Sequence, residues 1–243
     1  MPGTPAPGLI FDGAASIGAT QVLPRIRFEL PAAEWTCLLG PSGVGKTTLL
    51  RLIAGVADEA TLDGTIAASD GAPLAGRIAM MAQDALLLPW LSVAQNAMLG
   101  DRLRGAAPDP ARADKVLAGV GLAAHAQKRP GALSGGQRQR AALARTLMED
   151  RPVVLLDEPF SALDARTRVQ MQELTATRLR GCTVLMVTHD PAEAARLGQR
   201  ILILSETGLA EHPAPPEAPP RAVDGADTLA AQGALLARLR GAA

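Results

Sequence analysis

Nine residues, GPSGVGKTT at positions 40–48, constrain what this chain can fold into more than any other stretch. Three glycines in nine positions are poorly tolerated inside a helix or a strand. Yet the segment lies between a short apolar run, Cys37-Leu38-Leu39, and a helix-like stretch, Leu49-Leu50-Arg51-Leu52-Ile53. Gly40-Pro41-Ser42-Gly43-Val44-Gly45-Lys46-Thr47, followed by Thr48, fits the pattern G-x-x-x-x-G-K-[ST] in the strand–loop–helix setting where that pattern works. Glycines let successive backbone N–H groups turn inward around an anion, and the helix that follows aims the positive end of its dipole at the same point. The segment reads as a phosphate cradle, with Lys46 reaching the β- and γ-phosphates of a nucleotide and the Thr47 hydroxyl ligating Mg²⁺.

The rest of the chain supplies a frame for such a loop. Apolar runs at 152–157 (PVVLLD), 183–189 (TVLMVTH) and 200–204 (RILIL) read as strands, with a helical stretch at 164–180 between the first two. Continuous apolar strands separated by helices predict an α/β fold whose parallel sheet is covered on both faces. Residues 9–82 alternate short strands with glycine-marked turns, and Asp63-Gly64 and Asp70-Gly71 read as hairpin turns. Residues 84–150 switch to helical periodicity and are predicted to form a helical insert. Residues 1–8 form a Pro/Gly-rich arm expected to be disordered. Residues 206–243 form a tail in which PAPPEAPP reads as an exposed linker and DTLAAQGALLARLRG as a short helix.

Composition removes several functions. Lysine plus arginine and aspartate plus glutamate number 24 each, so no global positive field draws nucleic acid or anionic lipid. Two cysteines, Cys37 and Cys182, both in strand-like runs, do not make a metal site. The start, MPGTPAPGLI, lacks the pattern of a secretion signal, and no window reaches the roughly 18 apolar residues a membrane span needs. Work at a membrane would therefore go through a partner.

Nucleotide hydrolysis also needs a carboxylate for the metal and a group to orient the attacking water. The run VVLLDEP ends an apolar strand in Asp157 and Glu158 at its carboxyl edge, where open α/β sheets bind ligands. Asp157 is the candidate Mg²⁺ ligand and Glu158 the candidate polarising base. His189 ends another apolar strand in the same way, a candidate γ-phosphate sensor or a simple cap.

LSGGQRQR at 133–140 resembles the signature motif of ABC-type ATPases. The order of the set also matches that family: phosphate loop, Gln83, signature, Asp157-Glu158, SALD at 161–164, His189. The resemblance spans residues 9–205, implying a P-loop NTPase (RecA-like) core with an antiparallel β subdomain and an α-helical insert. It implies ATP and Mg²⁺ as ligands, and a homodimer in which Ser134, Gly135, Gly136 and Gln137 of one copy face nucleotide bound by the other. Asp164 would lie at that seam. Gln83 would touch Mg²⁺ and the attacking water.

The segment ALLLPWL at 85–91 falls where the family receives the coupling helix of a membrane subunit, with Leu88 and Trp90 as contacts; local core packing is the alternative. This stretch and FSALDARTR at 160–168 look like the branch that energises uptake of nitrate, sulfonates, taurine or thiamine-precursor pyrimidines. That branch implies a peripheral protein at the cytoplasmic face of the plasma membrane, linked indirectly to a periplasmic solute-binding protein and with no nucleic-acid partner. A soluble cofactor-assembly ATPase of the same family is the alternative. One departure stands out. The family's adenine-stacking aromatic should fall near residues 15–18, where Ile17 offers only apolar packing, and Phe11 is the nearby substitute.

Overall fold

The computed structural model describes residues 6–241. In chain order its elements are β1 (Leu9–Ile17), β2 (Thr20–Leu30), β3 (Trp35–Leu39), α1 (Lys46–Ala54), β4 (Thr61–Ala68), β5 (Ile78–Met81), α2 (Val93–Ala97), α3 (Leu99–Leu103), α4 (Pro110–Gly119), α5 (Gly135–Met148), β6 (Val153–Asp157), α6 (Ala165–Arg178), β7 (Thr183–Val187), α7 (Pro191–Leu197), β8 (Arg200–Ser205), β9 (Gly208–His212) and α8 (Ala226–Gly241). They divide into two compact units, one holding residues up to 78, 151–158 and from 180 onward, the other 79–150 and 159–179.

The first unit carries the expected α/β arrangement. Its larger sheet runs β6-β7-β3-β8-β9, parallel from β6 through β8. Strands β3, β6 and β7 are buried at every position, which is why each reads as an unbroken apolar run rather than an alternation. A second, antiparallel sheet runs β2-β1-β4. There β1 alternates fully and partly buried residues, the pattern of a strand with one covered face. Phe11, fully buried on that face, stacks on Phe28 with ring centroids 5.4 Å apart.

Several expectations need correction. Asp63-Gly64 is not a turn: both residues lie within β4, and Gly64 pairs with Gly13 of β1, where a side chain at Gly64 would strike Asp12 O. Glycine there serves close approach of two strands. Of the arm expected over 1–8, residues 1–5 lie outside the described residues, whereas the rest is held. Thr183 Oγ1 donates to Pro7 O (2.8 Å), and Gly8 and Ser69 exchange two hydrogen bonds.

The helix expected at 227–241 is present as α8, and the PAPPEAPP run lies outside any strand and is mostly exposed, but the tail as a whole is anchored. Residues 208–212 pair antiparallel with β8, Pro215 and Arg221 are buried, and α8 spans 16 residues with Leu235 fully buried. A charged side chain buried in the tail supplies the hydrogen bonds that a proline-rich segment cannot make for itself.

The second unit holds helices α2 to α5 and also takes in α6. Its core is built from Val93, Ala97, Val116, Leu117, Val120, Leu122, Leu143 and Met148. Gln139 ties α5 to the segment leading into α6, donating to Ser161 Oγ (3.1 Å) and accepting from Ala162 N (2.8 Å).

Candidate functional site

In the first unit the chain leaves β3 at Leu39 and turns into the phosphate loop. Two glycines are required there by geometry. A Cβ at Gly40 would lie 2.4 Å from Leu204 O. One at Gly45, whose φ is 98°, would lie 2.2 Å from Val22 O. Gly45 is also the residue from which α1 starts, so the helix N-terminus opens onto the loop. Lys46, only 8% exposed, folds back and donates from Nζ to the carbonyls of Gly40 (2.8 Å) and Pro41 (2.6 Å). Burial pushes its pKa down, while Glu158 and Asp157 nearby pull it back up.

Asp157 ends β6 and is 1% exposed. Its carboxyl pKa is raised, first by burial; a hydrogen bond with Thr47 and the charge of Lys46 act against that shift. Its Oδ2 is buried and has no hydrogen-bond partner among the described residues. A buried carboxylate oxygen left unmatched beside a threonine hydroxyl is a donor set that suits a small, hard, oxygen-seeking divalent cation. Thr47 and Asp157 therefore fit Mg²⁺.

Glu158 follows in a left-handed backbone conformation, φ 47°, which non-glycine residues seldom adopt and which a surrounding structure must hold in place. Its N–H donates to Val187 O (2.9 Å) at the end of the neighbouring β7. This tight turn brings Glu158 Oε1 to 3.1 Å from His189 Nδ1. Lys46, Thr47, Asp157, Glu158 and His189 thus form one cluster at the carboxyl ends of β3, β6 and β7.

The base-stacking alternative at Phe11 fails because that ring is inside the sheet core. Ile17 is 40% exposed and lines a hollow of about 200 Å³ with Thr48, Arg51 and Val56. A larger cleft of about 930 Å³ lies along residues 20–24, 41–44 and 205–207, with no aromatic ring in its wall.

In the second unit Ser134 caps α5 with a full capping box. Its Oγ accepts from Gln137 N (3.3 Å) and its N–H donates to Gln137 Oε1 (2.9 Å). The cap uses Ser134 Oγ as an acceptor, so its O–H stays available to donate. The amides of Gly135 and Gly136, in the first turn, have no partner within the helix. Gln137 Nε2 also lies 3.2 Å from His125 Nε2. Asp164 caps α6, accepting from Thr167 N (3.0 Å), and these hydrogen bonds hold its carboxyl below the usual range. Gln83 is exposed in a bend just after β5.

Trp90 and Leu86 are 65% and 64% exposed, while Leu88 is half-buried. Two residues that sequence reading passed over build this segment. Asn96, fully buried, accepts from Leu88 N (2.8 Å) and donates to the carbonyls of Leu88, Leu91 and Ser92. Arg145 donates to Ala85 O and Leu86 O. The signal for Asn96 was a polar residue on the apolar stripe of a helix.

Similarity to known proteins agrees with this geometry. The family model described as ABC transporter matches residues 23–161. The chain is 48% identical over 203 residues to the aliphatic sulfonates import ATP-binding protein SsuB 2 of Agrobacterium fabrum, covering 81% of this chain and 73% of that protein. It is 44% identical over 224 residues to SsuB 1 of Rhodococcus jostii, covering 91% and 89%. Among solved structures it resembles the ATP-binding cassette MJ0796 in a dimeric post-hydrolysis state bound to ADP and Pi, with a TM-score of 0.74 and 28% identity over 88% of this chain and 99% of that one. The P-loop NTPase fold expected from the sequence is the fold observed. The chain belongs to the ABC transporter family, as one of its ATP-hydrolysing, nucleotide-binding subunits.

Proposed function

We propose that this chain energises a bacterial importer of aliphatic sulfonates, working as a pair of copies on the cytoplasmic face of the membrane subunits. The observation that carries the hydrolytic part is the cluster itself: the buried Lys46 and Asp157, Thr47 beside them, and the Glu158–His189 contact at adjoining strand ends. Lys46 and the loop amides hold the phosphates. Thr47 and Asp157 would hold Mg²⁺, whose charge would offset that of the phosphates. Glu158 orients water in line with the γ-phosphate, and His189 fixes the Glu158 carboxylate and senses the γ-phosphate.

Ser134, Gly135, Gly136 and Gln137 of one copy donate to nucleotide held by the other, with Asp164 at the seam and Gln83 following the Mg²⁺ and water. Support comes from the open donors at the start of α5 and from the dimeric cassettes the chain resembles. Leu86, Leu88 and Trp90 receive the membrane subunit, and Asn96 and Arg145 brace the segment that presents them. No helix among the described residues is long and apolar enough to cross a membrane, which fits a subunit attached through partners. The names of several relatives point to sulfonates rather than nitrate, taurine or pyrimidines.

The test is ATPase activity of the chain assembled with its membrane subunits and solute-binding protein. Stimulation by an alkanesulfonate and not by nitrate is expected. Stimulation by another solute alone would overturn the solute, and activity indifferent to every solute would overturn the importer.

A further inference from the structure

α7 is a seven-residue helix, too short to be stable by itself. It begins directly after His189, and its amino-terminal end is pinned locally. Asp190 Oδ1 accepts from Ala192 N (2.9 Å), Asp190 N donates to Thr188 Oγ1 (3.1 Å), and Thr188 Oγ1 donates to Glu193 Oε2 (2.5 Å), with Thr188 and Glu193 both buried. The segment 188–190 is therefore fixed to the first turn of α7, and the backbone that carries His189 moves with that turn.

The carboxyl-terminal end of α7 is fixed by the tail. A helix leaves its last carbonyls without partners, and its dipole makes that end partly negative. Arg221, 4% exposed, takes two of them and the next carbonyl along: Nη1 donates to Ala195 O (2.9 Å) and to Gly198 O (2.8 Å) just past the helix, and its backbone N–H donates to Arg196 O (3.0 Å). Arg196, itself 5% exposed, returns a bond from Nε to Arg221 O (2.9 Å). Arg221 Nη2 donates to Pro215 O (2.7 Å), closing the proline-rich segment around the same guanidinium. A buried cation is costly unless it is well hydrogen-bonded; both Nη atoms of Arg221 are, while its Nε has no partner among the described residues, so this residue is far from a neutral filler.

We propose that Arg221 is a positioning residue for hydrolysis: by capping α7 from the tail, it holds His189 against Glu158. The proposal rests on the role given above to His189. Breaking the cap frees the end of a two-turn helix, and the His189–Glu158 contact of 3.1 Å loosens while the phosphate loop, on α1, is untouched.

Single-turnover ATP hydrolysis and binding of a non-hydrolysable ATP analogue with Mg²⁺ test this in the full chain carrying Arg221→Ala, His189→Ala or both. Arg221→Ala is expected to slow turnover about tenfold with analogue affinity kept within about twofold. The double variant is expected to be no slower than His189→Ala alone. Additive losses, a fall in affinity matching the fall in rate, or native turnover would each overturn the proposal. Native turnover in His189→Ala would sink the role of His189, and this proposal with it, whereas an impaired His189→Ala beside a normal Arg221→Ala would sink the clamp alone. If Arg221→Ala does not fold, Arg221→Lys decides. It keeps the charge but cannot reach both α7 and Pro215, so slower turnover with intact affinity is expected, and unchanged turnover refutes the clamp.

Discussion

The phosphate loop and the signature turn both present backbone amides at the start of a helix, and they are built in opposite ways. At the loop the charges are buried: Lys46 and Asp157 are below a tenth exposed, their pKa values are pushed toward the neutral forms by desolvation, and Glu158 sits on a left-handed backbone. At the signature turn Ser134 and Gly135 are exposed, the cap is made from neutral groups, and no ionised side chain is part of it. The loop carries electrostatic cost that a bound phosphate and metal would relieve. The signature turn carries almost none. One region carries a cost that its proposed ligand would relieve; the other carries almost none.

That contrast breaks first at Glu158. Glu158→Gln keeps the size but removes the charge proposed to polarise water, and turnover is expected to fall about 10³-fold with ATP affinity unchanged. Phosphate release and equilibrium nucleotide binding measure the two quantities separately, and a variant turning over at near-native rate ends the assignment. Lys46→Ala comes next. Losing charge-assisted bonds to phosphate, worth about 1.5–3 kcal/mol, should weaken ATP binding by roughly 10- to 150-fold, read by calorimetry. Unaltered affinity would place the phosphates elsewhere.

Ser134→Ala sharpens the comparison from the other side. Nucleotide affinity at low protein concentration should not change, since the loop is complete in one chain. Turnover at concentrations where copies pair should fall, and stability should drop by about 1 kcal/mol through the lost cap. An affinity loss at low concentration would mean that both regions serve nucleotide within a single chain.

The same contrast explains what the sequence revealed. The phosphate loop was legible because its geometry admits almost nothing but glycine at Gly40 and Gly45, and the parallel strands because burial on both faces writes an unbroken apolar run. The contact between Glu158 and His189 follows from adjacent strands ending together, which only pairing order reveals. Strand parity is what excludes Phe11 from base stacking: it shares the buried face of β1 with Leu9 and Ala15. The anchoring of the tail was not legible, because it depends on Arg221 bonding to residues 23 and 26 positions away, a long-range fact that proline content hides.

The smallest effect expected concerns the energetic cost of readiness at Asp157. Its folded pKa lies above the unfolded value because burial disfavours the charge, so the folded form binds the proton more tightly. Any stability this group contributes is present below the unfolded pKa and is lost as pH rises through the folded one. At neutral pH, without metal, the ionised carboxylate is then a burden. Asp157→Asn removes the charge and keeps the shape, and should raise the denaturant midpoint of the ligand-free chain by an amount worth about 1 kcal/mol, while abolishing the stabilisation that Mg²⁺ with ATP confers on the native chain. The gain should shrink toward zero as pH falls into the carboxylate range, because the native residue is then neutral as well. A variant less stable than the native chain at neutral pH would show that Lys46 and Thr47 already satisfy Asp157, and that the cradle, like the signature turn, carries no cost before its ligand arrives.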